Sequence, residues 1–277
     1  MAERGRGDQR SGPSQRSRAS KRSQNEPRPG LVRRANEPPV PEGLDTRLLH
    51  RSVRAELRGL PKELAEIVAA HLVAAGQLID NDPELAYAHA EAARRRASRL
   101  PVVREAAAET AYAAGHYDTA LSELRAIRRM TGSEDYLPMM ADCERALGRP
   151  EAALKLAKEA QRLRLDPAQR VEMILVEAGA RSDLGQEAEA MRLLEAAIAT
   201  LSPTAAPRIA AARLRYAYAE ALLRRGLSTQ ARRWFEAAAD LDTDLETDAQ
   251  ARVDELDGVL LNVDPSDLER LPSPENS

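Results

Sequence analysis

Small residues recur along this chain in pairs that are twelve positions apart. The first members of five such pairs are separated by 34, 33, 37 and 41 residues. The pairs are Ala74 and Ala86, Ala108 and Ala120, Ala141 and Ala153, Ala178 and Ala190, and Ala219 and Ala231. This regularity indicates a stacked repeat of two helices, with alanine where two backbones cross closely.

Each unit also repeats an apolar face four and seven positions after its second alanine, which is helical spacing. We therefore predict helical pairs at about 67–100, 101–133, 134–170, 171–211 and 212–244. Turn-forming residues lie between the two helices of each pair, at Asn81, Gly115, Gly148, Gly185 and Gly226. The two longest intervals predict longer first helices in the fourth and fifth units.

Apolar residues outside the five units predict a capping helix at each end. The first stripe comprises Leu48, Leu49, Val53 and Leu57. The second comprises Leu245, Ala249, Val253, Leu256, Leu260 and Val263. A repeat array needs such caps because its end units would otherwise expose their stacking faces. We predict one helical repeat domain over 44–263, with its C-terminal cap at 245–263 and a flexible tail at 264–277.

Residues 1–43 differ sharply from the rest in composition. They are rich in Ser, Gly, Pro, Gln and Arg, and their few apolar side chains cannot offset the entropy of ordering. We predict a disordered basic arm. Residues 1–37 carry a net charge of +6, whereas the whole chain carries −3, so the remainder carries −9.

Composition supports an all-α chain that works inside the cell. Aromatic residues make up 3%, too few for a β-sandwich. The one cysteine, Cys143, has no partner for an internal disulfide, which fits a reducing cytoplasm. No apolar run approaches the roughly 18 residues of a membrane span, and no apolar segment follows the basic N-terminus as in a signal peptide.

The turns and second helices resemble those of the tetratricopeptide repeat (TPR) family. His116 to Leu121 after Gly115, and Gly148 to Leu154, carry the resemblance, which extends over roughly 67–244. The chain departs from the family in its first helices, where the family's Trp is absent and alanine replaces its Gly. The resemblance implies a divergent member with a right-handed superhelical solenoid of about five helix pairs. A related helical-hairpin solenoid is the alternative.

We find no constellation that predicts catalysis, a metal or a cofactor. The histidines His50, His71, His89 and His116 lie on separate predicted elements, without a zinc or hydrolase motif. Asp240, Asp242 and Asp244 have calcium-loop spacing, but Leu245 stands where that loop needs Gly. We predict a non-enzymatic protein without a cofactor.

The family geometry implies that first helices line a concave groove. Seven acids and three arginines fall on the implied inward positions, which favours a basic or mixed-charge peptide or helix of another protein. A solvated helical face would show similar charges. The candidate groove residues are His71, Glu105, Glu109, Tyr112, Asp135, Asp142, Arg145, Glu172, Asp183, Arg213, Tyr216, Glu220 and Arg224.

The groove does not match the carboxylate clamp of chaperone-binding relatives, because His71, Glu105, Pro138, Leu175 and Tyr216 stand at comparable places. We interpret the chain as a protein–protein interaction scaffold. A sharper hypothesis is that the basic arm folds back into the groove and competes with the partner.

The alternative is a factor that binds RNA or DNA, or associates with ribosomes. Arginines cluster on the predicted second helices, where they and the basic arm could contact phosphates. These outer arginines are Arg94, Arg95, Arg96, Arg99, Arg128, Arg129, Arg162, Arg164, Arg232 and Arg233. Surface charge balanced by neighbouring Glu is the simpler interpretation of the same residues.

Overall fold

The computed structural model describes residues 31–258, except 35, 42 and 202–206. Over these residues the chain is all-α, as predicted, with twelve α-helices, one short 3-10 helix and no strand. Most of the predicted basic arm lies outside the described residues, as do the last residues of the predicted C-terminal cap and the predicted tail at 264–277.

The helices follow one another with short connections, and each packs against the next along most of the chain. The first six are α1 (Arg51–Leu57), α2 (Lys62–Leu78), α3 (Pro83–Ala97), α4 (Pro101–Ala113), α5 (Tyr117–Thr131) and α6 (Leu137–Ala146). The others are α7 (Pro150–Ala160), α8 (Pro167–Asp183), α9 (Glu187–Thr200), α10 (Arg208–Arg224), α11 (Ser228–Ala239) and α12 (Ala249–Leu256).

The paired alanines occupy the interior, as their spacing predicted. All ten are at most 4% exposed, and each lies on one of the helices α2 to α11. The glycines between the helices have a left-handed backbone with φ between 71° and 76°, at Gly115, Gly148, Gly185 and Gly226. A side chain would strain that conformation, so glycine fixes where each first helix ends. Helices α8 and α10 have 17 residues against 13 for α4 and 10 for α6, which accounts for the longer intervals.

The predicted N-terminal cap is split into two short elements. A 3-10 helix spans Thr46–Leu48, and α1 begins only after His50, whose side chain accepts a hydrogen bond from the backbone N–H of Ser52. Leu48 is 65% exposed, so it does not belong to the buried stripe, whereas Leu57 is buried. The polar cap at His50 overrides the apolar spacing, because it satisfies a backbone donor that the helix leaves free.

The C-terminal cap also begins later than predicted. Leu245 is 80% exposed and has a left-handed backbone (φ 55°), so it lies before α12 instead of within it. The buried carboxylate of Asp242 accepts hydrogen bonds from the backbone N–H groups of Glu246 and Thr247 at 2.9 and 2.6 Å. These bonds turn the chain and delay the helix until Ala249.

The last residues of the predicted arm are packed against the helices. Glu37 is 3% exposed, and its carboxylate accepts two hydrogen bonds from the Arg96 guanidinium at 2.7 and 2.8 Å. The sequence predicted disorder through residue 43, and the structure differs here because a bidentate ion pair anchors a segment that has few apolar side chains. Among the described residues, no helix has both the length and the apolar character needed to cross a membrane.

Candidate functional site

Three adjoining clefts form one groove along α6, α8 and α10. The first has a volume of about 620 Å³ and reaches from Tyr112 on α4 to Arg213 on α10. The other two have about 400 Å³ each and extend the groove to Arg224 and to the segment before α12. Leu175 on α8 lines all three, so it forms part of a continuous apolar floor.

Ten of the thirteen predicted groove residues line this groove. They are Tyr112, Asp135, Asp142, Arg145, Glu172, Asp183, Arg213, Tyr216, Glu220 and Arg224. They come together because corresponding faces of α6, α8 and α10 adjoin, with α6 packed against α8 and α8 against α10. Glu105 and Glu109 lie on α4 next to the first cleft, where Tyr136 hydrogen-bonds Glu105.

His71 does not reach the groove. It is 1% exposed, and its Nδ1 lies 2.9 Å from Nδ1 of His89 on α3, while its Nε2 lies 3.2 Å from the Glu37 carboxylate. The helical spacing placed His71 on the inward face, but the packed segment around Glu37 covers it. We call Glu37, His71, His89 and Arg96 the histidine cluster.

The cations of the groove are already paired with neighbouring acids. Arg145 on α6 donates to Asp183 on α8 at 2.7 Å, and Arg213 on α10 donates to Glu172 at 2.6 Å. Both pairs link one first helix to the next, and they leave little positive charge for a ligand.

Arg224 and Arg252 are engaged as well. Arg224 lies 3.7 Å from Glu187, and Arg252 on α12 donates to Glu220 at 2.8 Å. Tyr112 adds a neutral link, because its hydroxyl donates a hydrogen bond to Asp142. This part of the groove therefore has all of its arginines in ion pairs and is still net acidic, with seven carboxylates and four arginines: Asp142, Glu172, Asp183, Glu187, Glu220, Glu246 and Asp248 against Arg145, Arg213, Arg224 and Arg252.

Four carboxylates at the opposite end have no cationic partner among the described residues. We call this set, Glu56 on α1, Glu105, Glu109 and Asp135, the acidic end of the groove. One carboxylate oxygen of Glu56 is buried and accepts no hydrogen bond from the described residues. The charges that the sequence placed on one face thus separate into a part that contains ion pairs and a part in which carboxylates have no cation beside them.

Burial and like-charge repulsion act on two of these carboxylates, Glu105 and Glu109. Burial raises the pKa of Glu105, and the negative charges of Glu56 and Asp135 raise it further, although the Tyr136 hydroxyl opposes this. The Glu109 side chain is exposed, but neighbouring groups remove part of its water, and this together with the charge of Glu105 raises its pKa. Hydrogen bonds from Ser133 and Gln169 instead lower the pKa of Asp135. A bound cation would relieve this repulsion.

The set of candidate groove residues predicted from the sequence did not include Tyr136, Met139 and Gln169, which also line the first cleft. Tyr136 is the residue just before α6, so helical spacing could not include it. Gln169 forms a capping box with Asp166 at the start of α8 and donates to Asp135 at 3.2 Å. The capping pattern Asp166-x-x-Gln169 was a signal in the sequence for the helix start.

Gly179 on α8 was also missed, and it makes room for Arg145. A Cβ at this position would lie 2.8 Å from Cζ and Nε of Arg145, which is too close for a real contact. The guanidinium therefore lies across the α8 backbone on its way to Asp183.

We expect Gly179→Ala to stabilise the protein less than an ordinary glycine-to-alanine change in a helix. Alanine is favoured over glycine in a helix by about 1 kcal/mol, but here Arg145 would have to leave its pairing with Asp183. Gly76→Ala on α2 is the matched control, because its Cβ would meet nothing within 4 Å. Urea unfolding of both variants measures the difference, and equal gains would show that Arg145 does not depend on Gly179.

Several outer arginines are paired with acids. Arg94 contacts Glu91 and Glu123, Arg128 contacts Glu134 and Glu159, and Arg232 contacts Asp257 and Glu236. Arg96 belongs to the histidine cluster. Others in that set, including Arg95, Arg99, Arg129, Arg162, Arg164 and Arg233, are exposed.

No protein-family model matches the chain, and no curated protein matches it either. The function must therefore be argued from the groove itself.

Proposed function

We propose that the protein is a non-enzymatic scaffold, a divergent TPR-like solenoid whose groove holds a basic or mixed-charge segment of another protein. The alternation of first and second helices supports this architecture, as do the buried alanines at regular intervals. Contacts between α2 and α4, between α6 and α8, and between α8 and α10 also support it, because stacked units bring their first helices side by side.

The observation that carries the proposal is the acidic end of the groove. A folded protein gains little from holding these carboxylates together without a cation, because the charge of Glu56 disfavours ionisation of Glu105 and the charge of Glu105 disfavours ionisation of Glu109. A lysine or arginine from a ligand would relieve that repulsion and satisfy the free oxygen of Glu56.

The rest of the groove supplies apolar contact. Leu175, Met139 and Tyr136 offer apolar surface beside the carboxylates, and Tyr216 extends it toward α10. A ligand with a basic residue at one end and apolar residues after it would match this order. The groove would thus bind a peptide or helix in one direction, since the arginines of the groove all lie away from the acidic end, in ion pairs.

A selection of displayed peptides against the full-length protein tests the proposal. We expect the retained peptides to be enriched in Lys and Arg, and we expect this enrichment to disappear with the double variant Glu105→Gln and Glu109→Gln. The double variant Glu151→Gln and Glu195→Gln is the matched control, since it removes two exposed charges on α7 and α9 that line none of the clefts. Enrichment that survives the groove variant would refute the proposal.

The outer surface supports nucleic-acid binding less well. Four of the ten outer arginines, Arg94, Arg96, Arg128 and Arg232, are engaged with carboxylates, which reduces their attraction for phosphates. The other six are exposed, but they are spread from the end of α3 to α11. We therefore propose the protein-binding function in preference to the nucleic-acid one.

A further inference from the structure

The segment that precedes α1 is fixed to the helices at a defined place. Glu37 is clamped by Arg96, and the Arg96 guanidinium also donates to the backbone carbonyl of Val32 at 3.4 Å. Val32 is thus held beside Arg96 on α3, and residues 1–30 join the chain just before it. Whatever they bind, they approach it from this point.

The anchored segment and the acidic end belong to adjoining elements. Glu56 of the acidic end lies on α1, which follows the anchored segment directly along the chain and packs against α2. Helix α2 in turn packs against α4, which carries Glu105 and Glu109. The acidic end is thus the part of the groove nearest to the anchor in the order of the elements.

The charges of the two parts are complementary. Residues 1–30 contain eight basic side chains and three acidic ones. The acidic end has four carboxylates that no cation of the described residues pairs with. The basic residues in the arm, which could pair with them, are Arg4, Arg6, Arg10, Arg16, Arg18, Lys21, Arg22 and Arg28.

The length of the arm sets how far its basic residues can reach from the anchor. A flexible chain spans about 5–6 Å multiplied by the square root of its residue number, which gives roughly 30 Å for 30 residues. Tethering also gives the arm a local concentration of about a millimolar, so that individually weak ion pairs can compete with a free ligand.

We propose that residues 1–30 bind the acidic end of the groove and compete there with the basic segment of a partner. The inference rests on the proposed function, because it assigns a regulator to the same groove. The contact is electrostatic, since the arm has few apolar side chains to fill the floor around Leu175. It is therefore weaker at high salt, and a partner that also fills the floor displaces it.

Limited trypsin digestion of the full-length protein tests the contact directly, because trypsin cleaves after the arm's own basic residues. At low salt we expect the peptide bonds after the arm's basic residues to be cleaved about five-fold more slowly in the wild type than in the double variant Glu105→Gln and Glu109→Gln. The control Glu151→Gln with Glu195→Gln should behave as the wild type. High salt should remove the difference. Equal cleavage rates in all three proteins at low salt would overturn the inference.

A second measurement separates this inference from the proposed function. We expect the full-length variant with Arg16, Arg18, Lys21 and Arg22 all changed to Gln to bind a selected basic peptide about three-fold to ten-fold more tightly. If affinity stays the same while the groove variant still loses the peptide, the arm does not compete and the proposed function stands. If the groove variant keeps the peptide, the proposed function itself fails.

Discussion

Replacing Phe235 by alanine is expected to lower the free energy of unfolding by about 3–5 kcal/mol. Phe235 is fully buried on α11 and meets the edge of the Tyr216 ring, with centroids 5.2 Å apart. The Arg252 guanidinium lies 5.5 Å from its ring centroid, so the side chain joins α10, α11 and α12. Its removal leaves a cavity behind the groove, which urea unfolding would detect.

Trp234→Ala is the control for this effect. Trp234 neighbours Phe235 on α11 but is only partly buried, and it contacts Tyr218 with ring centroids 5.1 Å apart. We expect less than half the loss seen for Phe235→Ala. A larger loss for Trp234→Ala would show that the packing of the last helices does not centre on Phe235.

Acid is expected to weaken the protein through the histidine cluster. Burial, and the positive charge that His71 can carry, lower the pKa of His89 to about 4, whereas an unfolded histidine has a pKa near 6.5. The unfolded chain therefore binds the proton more readily between these pH values. Above about pH 6.5, His89 does not affect the free energy of unfolding. As the pH drops toward 4, the free energy of unfolding falls by about 3 kcal/mol in total.

The other charged groups around the cluster act in the same direction or stay constant. Burial also lowers the pKa of His71, with Arg96 and Arg95 contributing, while Glu37 opposes this shift. Burial alone would raise the pKa of Glu37, but the hydrogen bonds and charge of Arg96, the backbone N–H of Arg34 and the hydrogen bond from His71 together lower it, so Glu37 stays ionised until lower pH. The two facing Nδ1 atoms cannot both carry protons, which is why a second charge is so unfavourable here.

Urea unfolding at pH 7 and pH 4 measures this dependence. The variant His89→Gln should lose about 3 kcal/mol less than the wild type over that interval, because its side chain does not titrate. The surface variant His116→Gln is the control and should follow the wild type. Identical pH profiles for the wild type and His89→Gln would exclude His89 as the source.

The helical units could be predicted because their constraint is periodic. Where two backbones cross, only a small side chain fits, and this requirement recurs at every unit from Ala74 to Ala231. Glycine in four of the five turns adds a second requirement, a left-handed backbone that a side chain would strain, whereas Asn81 in the first turn does not adopt that conformation. Both signals are local in sequence and can be counted.

The caps could not be predicted as accurately, because single polar side chains decide them. His50 splits the N-terminal element, and Asp242 delays the C-terminal one. Apolar spacing alone therefore placed Leu48 and Leu245 inside helices from which the structure excludes them. These hydrogen bonds involve residues a few positions away, and their competition with helix formation has no periodic signature.

The positions of the candidate groove residues could be predicted from the sequence, but their ion pairs could not. Helical spacing brought together Asp142, Arg145 and Glu172, yet it could not show which acids would find a cation on the next helix. That pairing depends on distances across units of unequal length. Helical spacing also misplaced His71, because the spacing does not show that the packed segment around Glu37 covers this face of α2.

The most direct test of the account is the affinity of the full-length protein for one selected basic peptide. Removing both ion-pair partners with Glu105→Gln and Glu109→Gln should weaken binding by about 10-fold to 100-fold, as expected for charged hydrogen bonds. The control Glu151→Gln with Glu195→Gln should leave the affinity unchanged. An equal loss in both variants, or none in the groove variant, would contradict the claim that the acidic end of the groove recognises its ligand.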